Sequence, residues 1–189
     1  MTPPDPVRCT LFLIATFVLA GVLQTVWLRS PFSRRFAIPL DGGRSLRGRR
    51  IFGDNKTWKG FLVMVPAVGV AFLGMAMIFN SPRPWPLSLP TYLALGCWSG
   101  LGYMLGELPN SFVKRQLGIE PGQPPHHPIA RAICFFIDQA DSVVGALVAL
   151  VVFVPVPLLT WIIILLAGPV VHWLFNVILW LVGVKRSAA

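Results

Sequence analysis

The sequence predicts an all-α integral membrane protein that crosses the bilayer about five times. Three observations carry that expectation. Of 189 residues, 55% are hydrophobic and only 12% charged, an apolar share larger than a water-soluble domain of this size needs. The charges are also segregated, with long stretches that contain none and short stretches that contain many. Finally, the basic residues fall on one side once the apolar runs are read as spans.

The charge-free runs cover 9–28, 60–82, 84–106 and 142–184. A hydrocarbon core about 30 Å thick needs roughly 20 residues of helix, so each of the first three holds one span. The fourth, 43 residues long, holds two, with Pro155 and Pro157 marking the turn between them. The expected spans are therefore approximately 9–28, 60–80, 88–106, 139–157 and 160–183, forming one domain over 1–189. The first run is too long for the core of a secretory signal and lacks a clean cleavage site, so it is read as a retained span.

On this layout, Arg8 and Arg83 are the only two basic residues on one side, and 14 lie on the other. The positive-inside rule then places the N-terminus outside the cell's inner membrane, with both charged loops and the C-terminus in the cytoplasm. The net charge of +9 is explained by anchoring against anionic headgroups. Nucleic acid is not an expected partner, because the basic cluster at 44–50 lacks interleaved aromatics and lies between two spans. Cys9, Cys97 and Cys134 share no metal or redox spacing.

Function is expected in the two cytoplasmic loops, since the outer connections are short and rich in proline. The first contains Asp41-Gly42-Gly43, a tight-turn sequence, and ends in Gly53-Asp54-Asn55-Lys56-Thr57-Trp58-Lys59-Gly60. Here Trp58 is an interfacial anchor and the lysines snorkel, or the segment is a polar site at the membrane surface. The second loop leaves the third span through Glu107 and Pro109, and Pro109 is expected to end one helix and start another. A helix beginning there would offer free N–H groups to an anion. It would carry Ser111, Lys114 and Arg115 on one face, as a phosphate cradle or as ordinary cytoplasmic charges.

Asp138 and Asp141 stand at i and i+3, on one helical face, at the expected entrance to the fourth span. Two carboxylates beside hydrocarbon need a cation. Magnesium fits, because it takes carboxylate oxygens while keeping positions for water and phosphate; pairing with Lys114, Arg115 or Arg131 is the alternative. Carboxylates, a hydroxyl and several cations at headgroup level suit a reaction between phosphate groups, with a lipid as one reactant.

Three ordered segments, KTWKG at 56–60, SFVKRQLGI at 111–119 and DQADSVVGAL at 138–147, resemble the CDP-archaeol synthase family, which is related to the CDP-diacylglycerol synthases. That resemblance implies a magnesium-dependent cytidylyltransferase, in which CTP and a lipid phosphate yield a CDP-lipid and pyrophosphate. It assigns Asp138 and Asp141 to metal, and Lys56, Lys114 and Arg115 to phosphates. Ser111 is a phosphate or metal contact, and Thr57 belongs to the nucleotide-binding segment. Glu107 stands where the family usually has Asp, as a third metal ligand set one methylene further back. Pro109 and the adjacent His126 and His127 are departures from the pattern, the histidines reading as exposed loop residues rather than ligands. The lipid has ether-linked isoprenoid or acyl chains. The rival readings are a membrane transporter and a relative that binds lipid or nucleotide without turnover; a transport site would lie near the membrane's middle, not at one end.

Overall fold

The computed structural model describes residues 1–79, 83–125, 127–181 and 183. The helices are α1 (Pro6–Arg29), α2 (Trp58–Ile78), α3 (Leu89–Gln116), α4 (Pro128–Val151) and α5 (Leu158–Leu181). Four of them are long and apolar enough to cross a membrane; α3 is the fifth, made less apolar by the polar residues of its last three turns. Three of the starts carry local signals. Asp5 accepts the Arg8 N–H at 2.9 Å ahead of Pro6, Ser88 caps α3, and Pro128 occupies the first turn of α4. Pro155 and Pro157 lie between α4 and α5.

Each helix packs on its neighbours in sequence, and α5 returns to α1, closing a ring of five. Glycines let the backbones approach. A side chain at Gly145 would meet the Cα of Gly106 at 2.8 Å, and one at Gly96 would meet the Val68 carbonyl oxygen at 2.7 Å, so α4, α3 and α2 sit nearly in backbone contact. At the end where α1 begins, the ring is plugged by aromatics. Phe12 packs edge-on against Phe72 at 5.3 Å and Trp85 at 5.9 Å, and the Trp85 indole donates to the Pro155 carbonyl at 2.9 Å. Thr160 and Thr10 both donate to the Pro6 carbonyl, joining α5 to α1 at that end. Leu11, Val18, Val70, Leu158 and Leu166 remain exposed on the outside of the ring, where lipid would cover them.

Two expectations are corrected. Pro109 does not divide two helices: α3 runs through it unbroken. Proline removes one donor from the ladder, but α4 holds the helix on both sides of it, with Gly106 close against the Asp141 carbonyl and Asn110 bonded to Asp138 and Asp141. The anion site expected at a new helix N-terminus therefore does not form. The fourth helix also begins at Pro128, well before the expected 139, and ends at Val151 instead of 157. Asp138 and Asp141 consequently lie inside α4, roughly 15 Å from its start, and not at its entrance.

The loop between α1 and α2 holds a 3₁₀ turn (Pro31–Phe36) and a small hairpin of β1 (Ser45–Leu46) and β2 (Arg49–Arg50). Its two-residue turn is Arg47-Gly48, with φ of 53° and 79°, the left-handed pair that a tight hairpin requires. His126 lies outside the described residues, as do Lys185 and Arg186.

Candidate active site

At the opposite end the ring opens into a cavity of about 1050 Å³. Glu107, Asn110, Ser111, Lys114 and Arg115 of α3 line one wall, and Asp138, Gln139 and Asp141 of α4 line the next. Lys56, Thr57 and Lys59 come from the end of the first loop and the start of α2. Every residue singled out by sequence as a site candidate thus faces one space. Trp58 does not; half exposed, it points away as an interfacial anchor. Deeper in, the lining turns apolar, with Ile14 and Phe17 of α1 facing Ile164, Val171 and Phe175 of α5.

The charged groups are wired together. Lys114 reaches both carboxylate oxygens of Asp138 at 2.5 Å. The Asn110 amide donates to Asp138 at 2.6 Å and to Asp141 at 2.9 Å, so one side chain bridges the two acids. Lys56 is ion-paired with Glu107, whose other oxygen accepts the Ser142 hydroxyl at 2.8 Å. Burial works to lower the Lys56 pKa, but the Glu107 carboxylate outweighs it, and the ammonium ends above its ordinary value. Lys56 therefore stays charged at any pH where the protein works.

Arg115 differs from the other cations. It is 7% exposed, and its Nε and Nη1 are buried without a hydrogen-bond partner. An unsatisfied buried guanidinium costs more than a neutral group of the same size, so its retention marks a place where an anion is expected. Ser111, also buried, sits one turn earlier on the same wall.

Among the described residues, no group of three or more His, Cys, Asp or Glu is placed to hold a metal ion. The donor set suits magnesium in a different way. Asp138 and Asp141 lie within reach of one amide, and magnesium is commonly held by one or two carboxylates, with substrate phosphates and water completing its shell. Glu107 lines the same cavity and is occupied by Lys56 and Ser142.

Sequence reasoning missed Asn110, Ser142 and Gln139. The signal for Asn110 was present: Glu107, Asn110 and Lys114 fall at i, i+3 and i+7, one face of a helix, and only the expected break at Pro109 hid it. Ser142 was absorbed into an apolar run.

A five-helix ring around a chamber of carboxylates, amide and cations is the architecture of a membrane-embedded enzyme. The CarS-like CDP-archaeol synthase family profile matches residues 32–188, and the chain belongs to that family. It is accordingly a cytidylyltransferase of the membrane. It is 33% identical to the CDP-archaeol synthase of Methanoculleus marisnigri, over 78% of this chain and 87% of that one. It is 36% identical to that of Halobacterium salinarum, over 78% and 81%, and 31% identical to that of Thermofilum pendens, over 98% and 82%. A solved structure of an intramembrane enzyme for archaeal membrane lipid biosynthesis superposes with a TM-score of 0.63 at 25% identity, covering 87% of this chain and 92% of that one.

Proposed function

We propose that the chain transfers CMP from CTP to the phosphate of a membrane lipid with ether-linked isoprenoid chains, releasing pyrophosphate. The observation that carries this reading is the composition of one cavity. Its lining holds five cations (Lys56, Lys59, Lys114, Arg115 and Arg131) against three carboxylates, and it continues into an apolar limb between α1 and α5. A polyanionic nucleotide matches the first part and a lipid chain the second.

In the reaction an oxygen of the lipid phosphate bonds to the α-phosphorus of CTP while the bond to the β-phosphate oxygen breaks. Arg115 supplies donors to the leaving pyrophosphate, because its Nε and Nη1 have no hydrogen-bond partner to give up. Lys56 and Lys114 move from carboxylates to phosphate oxygens as the substrates enter, and Ser111 and Thr57 add hydroxyl contacts on the same walls. Asp138 and Asp141 would hold magnesium, which when bound would neutralise the charge of the approaching phosphates, while Glu107 stays with Lys56 and Ser142. Asn110 fixes the two aspartates relative to each other whatever occupies the space between them. The lysines and carboxylates pair with each other in the absence of substrate, so that neither is left buried and bare.

The charge bias of the loops supports a chamber on the cytoplasmic side, with the N-terminus outside and the C-terminus inside. One experiment tests orientation and activity together. CTP and magnesium added to sealed inside-out vesicles that contain an isoprenoid ether lipid phosphate are expected to yield CDP-lipid, with acyl phosphatidic acid used less well. Sealed right-side-out vesicles are expected to yield none until they are permeabilised. Product from sealed right-side-out vesicles would reverse the orientation, and equal use of both lipids would remove the chain preference.

A further inference from the structure

Asp41 is a buried acid that cytidylyl transfer, as described above, does not use. Its side chain has no exposed surface, and it stands outside the cavity lining. One oxygen accepts the Gly43 N–H at 3.0 Å and Arg50 Nη2 at 2.7 Å. The other accepts the N–H groups of Phe52 and Gly53, both at 3.0 Å, and Arg50 Nε at 3.3 Å. One carboxylate therefore closes backbone donors from both limbs of the loop between α1 and α2. The Arg50 contact, reinforced by the three backbone N–H groups, outweighs burial and holds Asp41 far below the usual carboxylate range.

From this knot two paths lead to the chamber. Gly53 has φ of +92°, and a Cβ there would lie 2.8 Å from Pro121 Cγ and 3.5 Å from Arg115 Cδ, so the backbone that Asp41 fixes is the surface against which the Arg115 stem rests. The second path runs through Leu40, whose N–H donates to the Lys56 carbonyl at 2.8 Å, next to the Trp58 N–H donating to Ile38 at 3.0 Å. The hairpin beyond is pinned to the end of α3, where Arg49 donates to the Gln116 carbonyl and Gln116 Nε2 to the Arg50 carbonyl at 3.4 Å. Both cations reached in this way, Lys56 and Arg115, are among the three assigned above to phosphates.

We infer that Asp41 is a positioning residue for CTP, acting through Gly53 on Arg115 and through Leu40 on Lys56. The inference rests on the cytidylyl-transfer reading. A surface staple without such a role would change stability alone, whereas misplacing two phosphate donors by a fraction of an ångström raises the KM for one substrate. Asp41→Asn keeps the size, removes the charge facing Arg50 and turns an amide N–H toward a backbone N–H. The expected result in detergent-solubilised full-length protein is a rise of about tenfold in the KM for CTP, with the KM for the lipid phosphate within about twofold of the wild type. Because Asp41 stays ionised across the working range, the defect is expected to be the same at pH 6 and pH 8. Gly53→Ala, which leaves Asp41 intact but adds a Cβ against Pro121, is expected to reproduce the CTP-selective defect, and it decides the matter if Asp41→Asn does not fold. Unchanged KM values, or equal rises for both substrates, would overturn the proposal. A wild-type protein that makes no CDP-lipid would instead overturn the reading on which it rests.

Discussion

Asp138→Asn and Asp141→Asn are each expected to lose CDP-lipid formation by about a hundredfold or more, the scale on which removing a group that stabilises transferring phosphates acts. Both substitutions keep size and remove charge, and added magnesium is expected to restore little, because the paired geometry set by Asn110 is lost. Their effects on stability should diverge. Asp138 is the ion-pair partner of Lys114, so Asp138→Asn strands an ammonium that is only 14% exposed and is expected to lower the melting temperature. Asp141 makes no salt bridge among the described residues; it is held by Asn110, the Ser142 N–H at 2.6 Å and the Ser142 hydroxyl at 3.2 Å. An asparagine there keeps an acceptor for Ser142 and removes a negative charge close to Glu107, so Asp141→Asn is expected to melt no lower than the wild type. Turnover at several magnesium concentrations, with melting in detergent, checks both statements. Near-normal turnover in either variant would remove the carboxylate pair from the reaction.

Arg115→Met is expected to stabilise the protein and nearly abolish its activity. Burying Nε and Nη1 without partners costs about 1–3 kcal/mol, and a methionine fills much of the same volume without that cost. A gain of about 1 kcal/mol corresponds to a rise in melting temperature of about 2–4 °C for a chain of this size. Loss of the donors that stabilise the leaving pyrophosphate is expected to lower turnover by about a hundredfold, and Arg115→Lys to recover part of it, since a point charge replaces a planar fork. A variant that melts lower and keeps its KM for CTP would show that Arg115 serves packing.

The helices were legible because hydrophobic runs and charge asymmetry obey constraints that act along the chain. Ser111, Lys114, Arg115, Asp138 and Asp141 were legible from local spacing and Lys56 from the family resemblance of KTWKG, and one cavity collects them. What spacing could not supply was the partner each residue takes across helices. Lys114 turns to Asp138 and Lys56 to Glu107, pairings set by the closeness of α3 to α4 and of the first loop to α3. Pro109 misled because its penalty is local, whereas the packing on both sides that keeps α3 continuous is not. The start of α4 is hidden in the sequence because Arg131, Asp138 and Asp141 interrupt its apolar residues, so the charge-free run opens only at 142. Asp41 could be read only as part of a turn; its five donors come from residues spread over a dozen positions.

The central claim is that CMP, not a terminal phosphate, passes to the lipid. Purified protein incubated with the ether lipid phosphate, magnesium and CTP labelled at either the α- or the γ-phosphorus tests it directly. The α label is expected in the lipid extract and the γ label in aqueous pyrophosphate. A γ label in the lipid, or no label transferred from either position, would contradict the account.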